Sequence, residues 1–365
     1  MLSSMDDYPL HQVAEPIRFV GTSDRNFYDR YYFNLHASSD ELFMVMGMGQ
    51  YPNLGVQDAF AVVRRGTKHR VVRASRELGD RMDTSVGPFR VEVLEGLKRV
   101  RFVLEPTEHG IACELEWNGA IPAFQEPRHF IRRHGRVLFD TQRFAQTGCW
   151  TGTLTVGDET FDVTPDRWWG TRDRSWGVRP VGEPEARGIQ GSASLIGGMW
   201  NYAPMQFDDY SILYIAQESA TGERTLEESV RIWNDPTREA EPLGRPEHHH
   251  RFRSGTRLVE SSVLSFPHAP GGALEVKVTP LTLCYIGIGT GYGLDADWRH
   301  GMYQGPLVVQ GLELDTETDK ELLWGIVDTV SRFDTGTDVG YGLHEYSFMG
   351  PYSVYGFTAF DDVAP

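Results

Sequence analysis

Apolar and polar residues alternate in short runs along most of this chain, with turn-forming residues between the runs. In residues 89–94, for example, a phenylalanine and two valines alternate with an arginine and a glutamate. Successive side chains of a β-strand point to opposite faces of its sheet, so this alternation predicts half-buried strands. No helical period separates the runs, which favours an antiparallel sandwich or barrel. The clearest runs of the first half lie at residues 59–65, 69–74, 89–95, 98–106 and 111–119.

The same rhythm of strand and turn returns in the second half of the chain, which begins near Gly188. Residues 321–333 could form an amphipathic helix, but their content of tryptophan, isoleucine, valine and threonine favours a strand. The two halves are loosely similar in layout, and the length suits two domains with separate cores. We therefore expect a lead-in over residues 1–20, a first β-domain over 21–187 and a second over 188–365.

The composition fits a β-rich protein and narrows the range of partners. Aromatic residues make up 12% of the chain, and 39 glycines and 20 prolines supply turns, which suits strands better than helices. The formal net charge of −16 argues against nucleic acid or an anionic membrane surface as the main partner. No apolar run approaches the length of a membrane span, and the N-terminus lacks the regions of a signal peptide. A cytoplasmic protein is therefore expected.

Cysteine and histidine spacing predicts neither a disulfide framework nor a metal site. Cys113, Cys149 and Cys284 are far apart and form no C-x-x-C pair, so we expect buried free thiols. Three consecutive histidines at 248–250 cannot all point the same way on a strand, and no nearby carboxylate or cysteine spacing completes a ligand set. We therefore predict no metal ion.

The least ordinary stretch is residues 166–180, which holds three tryptophans, four arginines and two aspartates. As a strand, it separates into two rows of side chains. One row is an indole–guanidinium ladder suited to cation–π stacking, and the other places a single carboxylate beside an indole and two hydroxyls. The first row contains Trp168, Arg172, Arg174 and Trp176, and the second contains Trp169, Thr171, Asp173 and Ser175.

Asp173 has two interpretations at this point. Buried charges are normally paired, so an arginine–aspartate network could simply lock the strand inside a barrel. Alternatively, Asp173 is an acid or a base at the floor of an apolar pocket. The residues of this stretch leave both interpretations open.

A second glycine-rich stretch, residues 287–305, superficially matches a dinucleotide-binding loop. That fingerprint requires a following helix and an acid about twenty residues further on, whereas more glycines and an aspartate-rich turn follow here. We interpret the stretch as a bend that brings together Tyr292, Trp298, His300 and Tyr303. His300 is either an acid/base group or a histidine hydrogen-bonded within an aromatic core, and the second interpretation is favoured.

A third stretch, residues 340–356, places Glu345 between apolar neighbours. A carboxylate in such a position is either paired with a cation or has a raised pKa. We favour pairing, with Arg172 or Arg332 as the partner.

Three segments of the chain resemble motifs of the AttH-like and carotenoid 1,2-hydratase-like proteins. That group includes kievitone-hydratase-type enzymes and fungal Diels–Alderase relatives. The segments are DRSWG at 173–177, DWRHGMYQG at 297–305 and GYGLHEYSFMG at 340–350. The resemblance implies two lipocalin-like antiparallel β-barrel domains packed together, with an apolar ligand cavity near their junction.

For activity, the resemblance implies a cofactor-independent hydratase, isomerase or cyclase that acts on a hydrophobic molecule such as a terpenoid, steroid or polyketide. In the hydratase members an aspartate of a D-x-N-x-G-like motif protonates a C=C bond, and Asp173 occupies that place. Ser175 stands where asparagine is common, and Thr171 stands where a tyrosine can occur, so the chain departs from the hydratase pattern. A carboxylic acid kept protonated by an apolar pocket is chemically able to protonate an alkene.

These observations define one candidate site, with Asp173 as the acid and His300 or Glu345 assisting. Trp169 and Trp176 are expected to stabilise a carbocation through their π-faces. The full set of expected substrate contacts is Trp169, Trp176, Arg172, Tyr292, Trp298 and Tyr303. A non-catalytic carrier of an apolar ligand is the main alternative, and an accessory protein in which this strand is purely structural is the third. The sequence leaves the ligand and the oligomeric state open.

Overall fold

The strands of this protein form two antiparallel barrel-like sheets. The computed structural model describes residues 2–133, 135–180, 197–292, 295–319 and 325–365. Within these ranges α-helix is absent, and 3-10 turns occur at Ser4–Asp7 and Ser353–Tyr355. The predicted all-β class with two lipocalin-like barrels is confirmed. In the same part of the chain, no helix has the length and apolar character needed to cross a membrane.

The first barrel is built almost entirely from the first half of the chain. Its strands are β1 (Phe27–His36), β2 (Phe43–Tyr51), β3 (Val56–Arg65), β4 (Lys68–Glu77), β5 (Ser85–Val86), β6 (Phe89–Glu95), β7 (Arg99–Leu104), β8 (Ile111–Gly119), β9 (Phe124–Gln125), β10 (His129–Arg133), β11 (Arg136–Val156), β12 (Glu159–Val163), β13 (Trp169–Val178) and β21 (Leu307–Asp315). The order is β21-β4-β3-β2-β1-β13-β11-β8-β7-β6-β5, and β9, β10 and β12 pair with β11. The alternating runs predicted for the first half fall on β3, β4, β6, β7 and β8.

The second barrel is a sheet in the order β17-β16-β15-β14-β23-β22-β20-β19-β18. These strands are β14 (Gly198–Gln206), β15 (Tyr210–Glu218), β16 (Arg224–Trp233), β17 (Glu241–Pro242), β18 (Glu247–Phe252), β19 (Val259–Phe266), β20 (Leu274–Tyr285), β22 (Val327–Asp334) and β23 (Val339–Met349). β22 confirms strand rather than helix for the end of the 321–333 segment, whose residues 321–324 lie outside the described ranges.

One strand of the second half belongs to the first sheet. β21 pairs antiparallel with β4, with Leu307 opposite Arg76 and Asp315 opposite Lys68. The predicted division between residues 187 and 188 lies outside the described residues, so the domain limits stay a prediction. The described residues 286–292 and 295–305, which precede β21, accordingly contact the first barrel, as Gly289 does at Val71 and Gly301 at Tyr51.

Alternating side chains divide most of the buried apolar residues into an interior core for each barrel and a third cluster between the barrels, and Tyr28, Tyr51 and Val56 form a small fourth cluster. On β1, Phe33 belongs to the first interior core, whereas its neighbour Tyr32 belongs to the cluster between the barrels. Leu213 and Val330 reach that same cluster from the second sheet. β13 therefore has one face in a barrel interior and the other against the partner barrel, which places its side chains at the junction.

Gly170 on β13 is a position where no side chain fits. A Cβ there would lie 2.0 Å from the backbone oxygen of Asn34, which also accepts a 2.8 Å hydrogen bond from the Trp150 indole. Gly170→Ala is therefore expected to destabilise the protein by about 1–3 kcal/mol, measured as a lower midpoint of denaturant unfolding. Gly96→Ala is the matched control, because a Cβ there meets no atom within 4 Å. Equal midpoints for the two variants would contradict the close packing of β13 on β1.

Candidate active site

Strand β13 carries Asp173 on the face that packs towards the second barrel. Its neighbours across the sheet are Tyr32 on β1 and Ala145 on β11, and both belong to the cluster between the barrels. Arg172 points the other way, where its Nε donates a 2.9 Å hydrogen bond to the Gln146 side-chain oxygen. Arg172, a predicted substrate contact, is therefore buried on the opposite face of the strand from Asp173.

The predicted ladder of tryptophan and arginine along β13 is wrong for the side chains described. The Arg172 guanidinium lies 5.4 Å from the ring centre of Phe144, and that of Arg174 lies 4.0 Å from Tyr31. Side chains on neighbouring strands lie closer to each other than side chains two residues apart on one strand. The two guanidinium groups therefore pack on rings of the neighbouring strands β11 and β1. Trp176 shares the Arg172 face, is 38% exposed and does not line the Asp173 face.

Asp173 is half-buried, and no described arginine forms an ion pair with its carboxylate. Arg143 on the neighbouring strand β11 binds Glu126 instead, with Nε 2.5 Å from a Glu126 carboxylate oxygen. Burial raises the pKa of Asp173 to about 7, against the lowering effect of the Arg143 charge. The negative charges of Glu126 and Glu345 act in the same direction as burial. Asp173 is consequently a carboxylic acid that retains its proton close to neutral pH.

Glu345 comes from the second barrel and is linked to the first by a chain of hydrogen bonds. It lies on β23, opposite Asp328 on β22. The Trp200 indole N–H donates to Glu345, and the Tyr32 hydroxyl donates to Asp328. Burial raises the pKa of Glu345, and burial together with the Glu345 charge raises that of Asp328 well above its usual range. Two adjacent buried carboxyls favour holding a proton between them.

The predicted pairing of Glu345 with an arginine is wrong. Arg332 binds Asp334, two residues along the same strand, at 2.9 Å. Arg172 faces the first barrel's interior, as described above. Glu345 therefore follows the alternative that was less favoured, a carboxyl with a raised pKa.

Aromatic rings from the second barrel line the junction beside these carboxyls. The Arg143 guanidinium lies 4.6 Å from the ring centre of Tyr202 and 5.3 Å from that of Trp200. Trp169, a predicted substrate contact, packs edge-to-face on Tyr341 of β23 with ring centres 6.4 Å apart. The junction thus combines acids with the π-faces of several rings.

Gly47 and Gly49 on β2 have no side chains, and this leaves room for the Arg30 side chain against the outer face of the first barrel. A Cβ on Gly47 would lie 3.2 Å from the Arg30 guanidinium, and one on Gly49 would lie 2.9 Å from the Arg30 side chain. Arg30 donates to the Tyr51 hydroxyl at 2.5 Å and lies 5.5 Å from the ring centre of Tyr292. Tyr292, another predicted contact, is thereby held on the same outer face as Asp173.

His300 is buried and packs against the ring of Tyr292. Its Nε2 lies 2.8 Å from the Thr290 carbonyl, which can only accept, so Nε2 carries the hydrogen. Its ring stacks on Tyr51 and meets Tyr292 edge-on at 4.5 Å. Burial, with the nearby Arg30 charge, holds the pKa of His300 well below its usual range. His300 is therefore a neutral ring fixed by the backbone, and the structure places it in an aromatic cluster rather than in contact with Asp173.

The other two residues expected at this bend lie elsewhere. Trp298 is buried and lies against Arg73, whose guanidinium is 4.3 Å from the indole ring centre. Tyr303 is exposed at the surface, and its hydroxyl donates to Glu77 at 3.0 Å. Among the described residues, Tyr292 and His300 are in ring contact, whereas Trp298 contacts Arg73 and Tyr303 contacts Glu77.

Sequence reasoning missed most of the second barrel's contribution to the site. The missed residues of the second barrel are Trp200, Tyr202 and Asp328, and those of the first barrel are Tyr32 and Arg143. A signal for Asp328 does exist, because it is the single acid within the otherwise uncharged segment 325–330. An acid among apolar residues of a predicted strand indicates a buried carboxyl, and buried carboxyls are rare unless they have a hydrogen-bond or charge partner.

The described residues contain no group of three or more histidines, cysteines, aspartates or glutamates arranged to hold a metal ion. His248 and His250 share one face of β18, and their rings stack with centres 5.0 Å apart. Each is held by hydrogen bonds to protein atoms. Cys113, Cys149 and Cys284 are free thiols, the first and last of them buried.

Asp173→Asn is expected to gain stability relative to wild type as the pH rises. Because the folded-state pKa of about 7 exceeds the unfolded value, folded wild type binds more protons and loses stability as pH rises between about 4 and 7. The asparagine variant has no titrating group at this position, so it does not lose this stability. The difference in Tm, variant minus wild type, should therefore increase by about 2 °C or more from pH 5 to pH 8. A difference that stays constant over this range would contradict a protonated Asp173.

Solved structures with the same fold come from several proteins. An AttH-type protein from Nitrosomonas europaea has a TM-score of 0.57 at 13% identity, over 93% of this chain and 97% of that one. Kievitone hydratase from Nectria haematococca has a TM-score of 0.51 at 14% identity, over 90% and 93%. CghA, crystallised with Sch210972, has a TM-score of 0.50 at 10% identity, over 89% of each chain. At such identities the similarity shows the fold, and at that level it confirms the resemblance predicted from the sequence.

Sequence comparison gives a separate result. No sequence among the curated proteins matches this chain. The profile of a family of unknown function, DUF8625, matches residues 2–358.

Proposed function

The chain belongs to this family of unknown function, DUF8625, and from that premise we propose that it is an acid-catalysing hydratase, isomerase or cyclase. Its substrate is a hydrophobic small molecule of terpenoid, steroid or polyketide type, bound without a cofactor at the junction of the two barrels. Kievitone hydratase, which shares the fold, is by its name a hydratase, and this agrees with the proposal.

The observation that carries the proposal is the Asp173 carboxyl at the junction. A general acid is most effective when its pKa lies near the working pH. Burial raises the pKa of Asp173 to about 7. The residue keeps part of its solvent exposure, and in the proposal a ligand reaches it from the junction. In the proposed reaction, the Asp173 proton moves to one carbon of a substrate C=C bond and leaves a carbocation on the other.

Rings at the junction suit a transient cation. Aromatic π-faces attract positive charge, most strongly where water is excluded. Trp200 and Tyr202 already accommodate the Arg143 guanidinium, and Tyr292 accommodates that of Arg30. In the proposal, Trp200 takes the role that the sequence suggested for Trp176, because Trp176 lies on the other face of β13.

The Glu345–Asp328 pair completes the proton balance. In hydration, water adds its oxygen to the cation and gives one proton to this pair. One proton then passes from the pair to the ionised Asp173 carboxylate, which restores both groups before the next turnover. In isomerisation or cyclisation, the cation loses a proton from a neighbouring carbon to the same pair. His300 acts only indirectly, by holding Tyr292 in place.

The test begins with the ligand that co-purifies with the protein, extracted in organic solvent and identified by mass spectrometry. The protein is then incubated with that ligand in D2O. A product heavier by one D2O indicates hydration, and exchange of one hydrogen for deuterium indicates isomerisation. Cyclisation by the same route also incorporates one deuterium, and a cyclised product is distinguished from an isomerised one by having one C=C bond fewer. A ligand that binds saturably but stays chemically unchanged would instead establish a carrier and overturn the proposal.

A further inference from the structure

A row of polar side chains lies inside the second barrel, away from the junction. Asn201 on β14, Tyr214 on β15 and His344 on β23 are all buried, with 0% of each residue exposed. Their neighbours Ala203, two residues from Asn201, and Ala216, two residues from Tyr214, belong to the second interior core. Polar side chains in a barrel interior are costly unless their hydrogen bonds are satisfied.

The hydrogen bonds inside this row fix which atoms remain unsatisfied. The Asn201 amide nitrogen lies 3.1 Å from Nε2 of His344 and 3.3 Å from Nε2 of His250. An amide nitrogen only donates, so both Nε2 atoms accept and the hydrogens are on Nδ1. His250 passes its Nδ1 hydrogen to Ser262 at 2.8 Å. The Nδ1–H of His344 has no partner among the described residues.

Two further atoms in the row share this condition. The Asn201 side-chain oxygen and the Tyr214 hydroxyl also have no hydrogen-bond partner in the described part of the chain. The row therefore presents one donor (His344), one acceptor (Asn201) and one group that can do either (Tyr214).

Small residues lie between these unsatisfied groups. On paired strands, Asn201 is opposite Ala216 and Ala203 is opposite Tyr214. These four residues form a square on the barrel wall. The two polar side chains lie at one pair of diagonal corners, and the two alanine methyl groups lie at the other pair. The two alanines, which carry a single methyl group each, are therefore the side chains next to the polar atoms on this part of the barrel wall.

The C-terminal segment closes the nearer end of the barrel. The Tyr352 hydroxyl donates to Glu218 at 2.5 Å, and the Tyr355 hydroxyl lies 2.8 Å from Nδ1 of His248. Arg224 pairs with Glu218 at 2.9 Å and with Glu227 at 3.1 Å, so the Glu218 charge is compensated by a cation.

We propose that the interior of the second barrel binds a small neutral alcohol or polyol over Ala203 and Ala216. One hydroxyl group of such a guest accepts from His344 Nδ1–H and donates to the Asn201 oxygen, while Tyr214 bonds a second oxygen. This site is separate from the junction and does not depend on the reaction proposed there.

The chemistry of the walls selects against charged guests. Burial lowers the pKa of His344 to about 3 and that of His250 well below its usual range, so both rings are neutral. The Glu218 carboxylate at the end of this barrel is already bound by Arg224 and Tyr352. A charged guest would have no counter-charge in the row, and its burial would be unfavourable.

The test uses the full-length protein with ¹⁵N-labelled histidine, followed by NMR, with the His344 ring signals assigned by comparison with H344Q. Methanol, ethylene glycol and glycerol are added as neutral probes, and acetate and methylammonium as charged ones. We expect the neutral probes to shift the His344 Nδ1 signal saturably, and the charged probes to leave it unchanged. An unmoved signal, or an equal response to charged probes, overturns the proposal.

Two variants separate a real site from general solvent effects. Ala203→Val adds two methyl groups beside the polar row and should abolish the saturable shift while the other histidine signals keep their positions. Tyr214→Phe keeps the ring and removes one hydrogen bond, and should weaken binding of ethylene glycol and glycerol about fivefold. If Ala203→Val fails to fold, Tyr214→Phe decides alone, and wild-type affinity in that variant refutes the site.

Discussion

Asp173→Asn is expected to lower turnover of the co-purified ligand by about 10²- to 10⁴-fold, the usual contribution of a positioned general acid. Asparagine has nearly the same shape as aspartic acid, but it has no acidic proton to give to a C=C bond. Affinity for the ligand should stay near the wild-type value, because the rings of the junction are untouched. Turnover is measured as product formed in D2O, and affinity by titration of intrinsic tryptophan fluorescence.

Asp140→Asn is the control for this experiment. Asp140 lies on the neighbouring strand β11 and forms an exposed ion pair with Arg128 at 2.6 Å, so its loss should leave turnover unchanged. Wild-type turnover in Asp173→Asn would remove Asp173 from the chemistry. Loss of cooperative folding in that variant would instead favour the structural interpretation, in which the aspartate locks the strand.

These outcomes connect with the pH dependence of stability. A carboxyl held protonated by burial destabilises the fold at any pH at which it ionises. Asp173→Asn should therefore be both less active and, at pH 8, more stable than wild type. Such opposite changes are characteristic of a functional group kept at the expense of stability. A purely structural ion pair predicts losses in both properties.

The β-class could be predicted because strand alternation is a local property of the sequence. The alternation of β13 alone separates Asp173 from Arg172, and the structure places them on opposite faces. The exchange of β21 into the first sheet was not predictable in this way. Its pairing with β4 joins residues far apart in sequence, and such pairing depends on the whole fold.

The candidate site was only partly predictable for the same reason. Tyr32 and Asp328, which share a hydrogen bond, are 296 positions apart in the sequence. The sequence around either residue contains no feature that predicts this contact. The pairing predicted for Glu345 was wrong because Arg332 finds Asp334 on its own strand, a closer partner than any residue across the junction.

Arg143→Met is expected to destabilise the protein by about 3–5 kcal/mol, the effect of leaving one partner of a buried ion pair without the other. The Arg143 side chain is 18% exposed and that of Glu126 only 4% exposed. Methionine keeps the apolar contact with the rings of Trp200 and Tyr202 but leaves the Glu126 charge uncompensated. The measurement is the free energy of unfolding from denaturant titration at pH 7.5.

The exposed counterpart, Arg128→Met, separates burial from charge. Arg128, like Arg143, is paired with a carboxylate: two of its nitrogens donate to Asp140 at 2.6 and 2.7 Å. The Arg128 side chain, however, is 60% exposed. Its loss should change the free energy of unfolding little or not at all, because an exposed ion pair is screened by solvent. Adding Glu126→Gln to Arg143→Met should recover most of the loss, because the unpaired charge is then gone. If Arg143→Met and Arg128→Met differ by less than the error of the titration, Glu126 is not buried at the junction, and the high pKa of Asp173 beside it loses part of its cause.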